Sequence, residues 1–433
     1  MKKIAVSLAR LGYAVTVLGR SGTGHRQQGH IGAADVLLVP PRTRLRGAPQ
    51  RVVRLPARLR RVEILANRNL QRLERNTDKR IRKIDTKGGY LFHAAQRDFR
   101  TTYGRELVRM QPDVIHVHDP RLLPVAFAAG RRIEDRTGRR CHVVYDAREN
   151  FAGVLETQET LPRYHAKVLA AETRLAPRTA AVLTVSDAVA DAIAARSALP
   201  HRPTVLMNAP VHREFPTDQS GLRSVRADAG VPDGAHVLVY PGAASKARGV
   251  DTIVQALAFL PSVHAVLVVV PWPHPRAQEL QELADGLGVG DRLHLVPPVP
   301  ADDVPRYLAG ADVAVHAMLG GIPNHEMAMP NKLFEILHAG LPMASSNVRT
   351  MAAFVREHDM GDVFTAGDPR DLARSVQLLL DRSSGRRPTP DTELVRRYSW
   401  QAQETGLAEA YGRAVPAVAL DRAEFPLLDV RWD

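Results

Sequence analysis

The residues best suited to chemistry fall in the stretch 327–347, MAMPNKLFEILHAGLPMASSN. A helix beginning near Asn331 puts Leu333, Phe334, Ile336 and Leu337 on one side and leaves Glu335, near the helix start, off that apolar face. Gly340-Leu341-Pro342 closes the helix before a short buried-strand pattern. A carboxylate so placed can accept both hydroxyls of a ribose, which a basic group cannot do. Lys332, three residues earlier, either pairs with Glu335 on the helix surface or approaches a phosphate. A second segment, 240–253, reads YPGAASKARGVDTI. Its Gly242, Ala243, Ala244 and Gly249 allow close backbone approach, while Lys246 and Arg248 bring positive charge. Amides at a helix start together with cations suit a diphosphate.

Three further strand ends carry polar groups. In 113–120, DVIHVHDP, His118 and Asp119 lie at the carboxyl end of a strand, where a parallel sheet presents ligand-binding side chains. A histidine there can donate to a sugar hydroxyl, and His116 reads as structural. No metal is expected, because His-Val-His has no third ligand nearby in sequence. The run 145–150, YDAREN, puts Asp146, Arg148 and Glu149 at the same rim, as acceptor-side groups or as an ion-pair network. Ser186 ends another strand just before a helix, either as an N-cap or as a phosphate contact.

The elements that position these residues alternate. Short apolar runs at 14–19, 35–40, 113–119, 142–147 and 181–186 interleave with helical patterns at 2–11, 91–109, 122–134, 161–175 and 187–195. A second series follows, with strands at 236–242, 264–270, 292–297, 312–318 and 342–346 and helices between them. Such alternation implies parallel sheets covered on both faces, an α/β chain of two Rossmann-like domains facing across a cleft. The proline-rich stretch near 210–230 separates them. The expected division is 1–215, 216–395 and a terminal helix and tail, 396–433. A doubly wound domain ordinarily opens with a strand, and here a helix comes first. The expectation is a chain that starts upstream of Met1.

Composition is that of a soluble globular protein, 45% apolar and 24% charged, and a single cysteine excludes an intrachain disulfide framework. The formal net charge of +13 is concentrated: residues 41–110 hold 20 Lys+Arg against 6 Asp+Glu. A basic helical pattern within 65–83 fits contact with an anionic membrane through 41–83. Aromatic platforms are missing there, so no nucleic acid is expected.

With Glu335, the 242–249 loop and His118 in place, the chain resembles the retaining glycosyltransferases of family 4, of the GT-B fold, apparently lacking the first N-terminal strand and its glycine-rich loop. Residues 330–342, PNKLFEILHAGLP, carry the most specific likeness. The resemblance implies that Glu335 is the second glutamate of the family's E-x7-E pattern, on the nucleotide ribose. The first falls on Met327, beside Glu326. It further implies that Arg248 takes the place of a diphosphate-binding lysine, that His118 contacts the donor sugar, and that the helix following 398–403 returns towards the N-terminal domain. The implied function is metal-independent, retaining transfer of a hexosyl group from a nucleoside diphosphate sugar to an acceptor hydroxyl, with a lipid-linked or cell-envelope glycan as one form of acceptor. The expected catalytic residues are His118, Arg248 and Lys332, with the nucleotide sugar held by Gly242, Lys246, Arg248, Glu335 and Ser186. The donor is a substrate, so no cofactor is expected, and the expected location is cytoplasmic, at or near the inner membrane face. The alternatives are a non-catalytic sugar-nucleotide binder or assembly protein, and a nucleotide-sugar epimerase of the same architecture.

Overall fold

A computed structural model describes residues 2–21, 25–40, 89–154, 162–213, 223–383 and 392–415. The basic helical pattern at 65–83, the membrane surface at 41–83 and the tail at 416–433 lie outside the described residues. Among the described residues, no helix is long and apolar enough to cross a membrane.

The chain opens with α1 (Lys2–Arg10), followed by β1 (Thr16–Arg20), β2 (Gln27–Ile31) and β3 (Ala34–Val39). These strands form a sheet ordered β1-β3-β2, with β1 parallel and β2 antiparallel to β3. The sequence pattern misses β2, because QQGHI is mostly solvent-facing and shows no apolar alternation. After α2 (Gly89–Phe99), which runs through a wide π turn at Arg100–Gly104, comes a separate parallel sheet. It holds β4 (Val114–Val117), β5 (His142–Ala147), β6 (Ala181–Thr184) and β7 (Thr204–Val205), in that order. Helices α3 (Leu123–Thr137), α4 (Pro162–Leu175) and α5 (Asp187–Ser197) connect them. Among the described residues, β1 and β4 each pair on one side only.

The second domain is one six-stranded parallel sheet, ordered β10-β9-β8-β11-β12-β13. Its strands are β8 (His236–Gly242), β9 (Val263–Val269), β10 (Leu293–Val296), β11 (Val313–His316), β12 (Met343–Ser346) and β13 (Gly361–Phe364). Runs such as VHAVLVV are almost wholly buried, as expected for a sheet covered on both faces. One face packs against α8 (Asn331–Ala339) and α9 (Arg349–Glu357) through Leu333, Phe334, Ile336, Met351 and Phe354. The other packs against α6 (Val250–Ala256), α7 (Ala277–Gly286) and α10 (Pro369–Ser383) through Ile253, Leu280, Leu372 and Val376.

The last described helix, α11 (Trp400–Ala414), crosses back to the first domain. Trp400, Leu407 and Tyr411 share a core with Ile4, Leu8, Val144, Leu183 and Leu206. Burying those large side chains is worth about 1.5–3 kcal/mol each, enough to fix the helix there. Two polar contacts set its register: Trp400 Nε1 donates to Ser7 Oγ at 2.9 Å, and the Trp400 amide donates to the Pro210 carbonyl at 2.7 Å. The domains also meet directly. A Cβ on Gly153 would lie 2.8 Å from the Asn324 amide nitrogen, so the two backbones touch where only glycine fits.

Candidate active site in the interdomain cleft

On the second-domain wall, β8 presents Tyr240 and Gly242 on one face, two residues apart. The large ring and the missing side chain form a seat, and Lys332 of α8 fills it. A Cβ on Gly242 would come 2.2 Å from Lys332 Cε and Nζ. The Lys332 ammonium donates to the Tyr240 hydroxyl at 3.1 Å and sits 4.6 Å from that ring's centroid. Burial lowers its pKa from 10.5 to about 7; the charge of Arg248 pushes the same way and Glu335 acts against both. Among the described residues, no carboxylate forms a salt bridge with Lys332 or Arg248. Two basic groups, Arg248 near enough to depress the Lys332 pKa, beside a bare glycine make a place suited to an anion.

Glu335 sits one turn further along α8, mid-helix rather than at its start, and is partly buried. Burial raises its pKa, while Lys332 and Lys3 pull the other way. Lys3 comes from α1 of the other domain. Its ammonium donates to the Ala209 carbonyl and lies 5.1 Å from the Trp400 ring centroid, and burial lowers its pKa to about 8. The sequence pattern gives no signal for Lys3; only the crossing of α11 brings it to the cleft.

Two expected nucleotide contacts are corrected here. Lys246 lies in a 3₁₀ turn, is exposed, and pairs with Glu279 at 3.2 Å, so its ammonium is engaged on the surface and not in the Gly242 seat. Ser186 is 2% exposed. Its Oγ accepts from the Val189 amide as the N-cap of α5 and donates to the Met327 carbonyl at 2.9 Å. Its single donor is spent on that carbonyl, so in this structure it joins the domains rather than donating to a phosphate. Gly249 also serves packing: a Cβ there would lie 1.8 Å from the Ala317 carbonyl oxygen.

On the first-domain wall, His118 Nδ1 lies 2.6 Å from Asp146 Oδ2, and His116 Nδ1 lies 2.6 Å from the Tyr411 hydroxyl. Burial drives the His118 pKa down to about 4 against the pull of Asp146. Burial works against the charged form of Asp146 as well, but the His118 hydrogen bond and the His116 ring 3.9 Å away hold its carboxyl below the usual range. The pair is therefore neutral imidazole with carboxylate, the proton on Nδ1. His118 Nε2 then accepts a hydrogen bond, whereas the sequence suggested a donor. Asp146 also corrects the search for a third metal-ligating group. Its oxygen and the two imidazoles lie within 4.8 Å of one another, brought together by strand pairing and not by sequence spacing. Here that oxygen is taken by His118.

Both candidates for the first glutamate position are engaged in contacts within the protein. Glu326 accepts from the Gly321 amide at 3.0 Å and the Arg349 amide at 2.8 Å. Met327 faces the other domain, its sulfur 3.4 Å from Asn150 Nδ2. Beside them a cavity of about 220 Å³ opens between Arg148, Glu149 and Asn208 on one wall and Asn324, Met329 and Asn331 on the other.

Residues 235–382 match the family model described as glycosyl transferases group 1, and residues 61–212 match glycosyltransferase family 4. The D-inositol 3-phosphate glycosyltransferase of Salinispora arenicola is 28% identical over 208 residues, 45% of each chain. That of Geodermatophilus obscurus is 26% identical over 273 residues, 60% of this chain and 58% of the relative. The matches thus span about half the length of these curated relatives. Among solved structures, the sucrose-phosphate synthase of Thermosynechococcus elongatus superposes with a TM-score of 0.69 at 15% identity, covering 96% of this chain and 92% of its own. HepE of Anabaena, solved with UDP-glucose, gives 0.57 at 19%, covering 71% and 81%. At such identities these two likenesses establish the GT-B fold. With family models matched in both domains, the chain belongs to glycosyltransferase family 4.

Proposed function

We propose that the chain transfers a hexosyl group from a nucleoside diphosphate sugar to an acceptor hydroxyl, with retention of the anomeric configuration. The observation that carries this reading is the Lys332 ammonium, held in the Gly242 seat beside Arg248 with no carboxylate in salt bridge to either among the described residues. Charge builds on the leaving diphosphate as the glycosidic bond breaks, and preorganised cations in a desolvated site stabilise it at little reorganisation cost. A bound diphosphate also raises the Lys332 pKa and keeps it protonated. Glu335 accepts the ribose hydroxyls one helical turn away. His118, neutral and fixed by Asp146, accepts from a donor-sugar hydroxyl through Nε2. UDP-glucose in HepE and the inositol phosphate glycosyltransferase relatives support a nucleotide sugar donor.

The test is incubation with UDP-glucose, UDP-galactose and GDP-mannose, with and without a mixture of alkyl glycosides as acceptors, read by proton NMR before the anomers re-equilibrate. Transfer or slow hydrolysis giving the donor's own anomer is expected. The opposite anomer would overturn retention, and a new nucleotide sugar formed without acceptor would indicate epimerisation instead.

A further inference from the structure

His116 and His118 stand two apart at the end of β4, so both rings leave the same face of the sheet. The pairing of Val117 with Tyr145 on β5 brings Asp146 level with His118. Both imidazoles present a nitrogen to one carboxylate oxygen: His118 Nδ1 lies 2.6 Å and His116 Nε2 3.9 Å from Asp146 Oδ2. The His116 Nε2 atom is buried and has no hydrogen-bond partner among the described residues, while the other nitrogen of that ring lies 2.6 Å from the Tyr411 hydroxyl. A buried polar atom in that state is costly, and it calls for a partner that the fold itself does not supply.

An ion held by all three atoms is such a partner. Ligands about 2.0–2.2 Å from a tetrahedral Zn²⁺ stand about 3.3 Å from one another, and the two observed separations fall on either side of that spacing. Side-chain shifts of under about 1 Å therefore close the set. Two imidazole nitrogens and one carboxylate oxygen select a divalent first-row transition ion over Mg²⁺ or Ca²⁺, which take oxygen ligands. The Tyr411 hydroxyl meets the far nitrogen of His116, as the outer partner of a ligating imidazole does. Two cations stand nearby. Arg148 Nε lies 3.4 Å from the same Asp146 oxygen, but its side chain is 38% exposed and has room to turn into solvent. Lys3 shares a recess with Asp146, and its ammonium is committed to the Ala209 carbonyl.

We infer that His116, His118 and Asp146 form a binding site for a divalent transition-metal ion, and that the ion inhibits transfer. The inhibition rests on the transferase reading above, in which the free His118 ring accepts from a donor-sugar hydroxyl through Nε2. With the metal on Nδ1, the ring's proton moves to Nε2, which then donates instead. The dication also stands beside a sugar ring that gains positive charge as its bond to the leaving diphosphate breaks, and repels it.

Calorimetric titration of the full chain with Zn²⁺ and with Mg²⁺, and the visible spectrum of the Co²⁺-loaded chain, test the site without any nucleotide. One Zn²⁺ per chain is expected, bound at least a hundred-fold more tightly than Mg²⁺, with the intense visible bands of Co²⁺ in a low-coordinate site. His116→Ala and Asp146→Asn are each expected to weaken Zn²⁺ at least ten-fold. His264→Ala, which breaks a second close histidine pair, His264 Nδ1 being 2.9 Å from His294 Nε2, is expected to change it by less than two-fold. Binding that Mg²⁺ matches, a pale octahedral Co²⁺ spectrum, or a Zn²⁺ affinity that follows His264 and not His116 overturns the site. The spectrum is read on the unaltered chain, so a variant that fails to fold does not leave the question open. Transfer is then assayed with and without one equivalent of Zn²⁺, using whichever of UDP-glucose, UDP-galactose and GDP-mannose serves as donor. A fall in turnover of at least ten-fold is expected, and unchanged transfer by the Zn²⁺-loaded chain overturns the inhibition. A chain that binds Zn²⁺ at these residues but transfers nothing when metal-free refutes the transferase reading and leaves the metal site standing.

Discussion

Replacing Lys332 by Met should make the protein more stable while removing its capacity to hold a diphosphate. The wild-type ammonium has its pKa lowered from 10.5 to about 7, with burial as the largest cause. Because the folded value lies below the unfolded one, the unfolded chain binds more protons between pH 7 and 10.5. Wild-type stability therefore rises with pH across that window, and the cost is fully present below pH 7. At 1.36 kcal/mol per pH unit the full cost is about 5 kcal/mol, an upper figure. Methionine keeps the unbranched length and fills the Gly242 seat without a charge. The contacts given up are the hydrogen bond to Tyr240, worth about 1 kcal/mol, and the ammonium's approach to that ring, worth about 0.5–1 kcal/mol; the Tyr240 hydroxyl keeps its bond to the Ala243 carbonyl at 2.9 Å. A net gain of about 2–4 kcal/mol at pH 6 follows, shrinking to nothing or below near pH 10. Differential scanning calorimetry of both proteins at pH 6, 7.5 and 9.5 reads this directly. A variant less stable at every pH, or a difference that does not change with pH, would refute the reasoning.

The same titration predicts that nucleoside diphosphate affinity falls above pH 7, by up to ten-fold per pH unit until the pKa of the complex is passed; isothermal titration across pH 6–9 checks the slope, and a flat profile contradicts it. Arg248→Ala should weaken nucleotide binding by ten-fold or more. Lys246→Ala, whose ammonium is bound by Glu279, should change it by less than two-fold in the same titration. Ser186→Ala should lower stability by about 1–2 kcal/mol through loss of a helix cap and an interdomain hydrogen bond, seen as a lower urea midpoint, with nucleotide affinity within three-fold.

The alternation of buried runs and helices made both domains legible, and the period of 236–346 placed each second-domain strand except β13, whose GDVF is too short and polar to signal itself. The structure sets Lys332 against Gly242 and Glu335 one turn further along the same helix, and the local patterns that marked them, an apolar helix face and a small-residue loop, are the elements that bring them together. Lys246 and Ser186 were misplaced for one reason. Sequence gives a side chain's type and neighbourhood but not the partner that claims it, and Glu279 and Met327 are 33 and 141 residues away respectively. The His118–Asp146 pair shows the same limit from the other side. Strand pairing between β4 and β5 sets the tautomer, and nothing within 113–120 reports it. Lys3 reaches the cleft only because α11 returns to pack on α1.

The central claim is that α8 and the Gly242 loop hold a nucleoside diphosphate, with Glu335 on its ribose. Calorimetric titration with UDP, GDP and ADP, on the wild-type chain and on Glu335→Ala, tests it most directly. The account predicts selective binding of one nucleotide, weakened at least ten-fold in the variant. A folded wild-type protein that binds none of the three, or a variant that binds as tightly as the wild type, would contradict it.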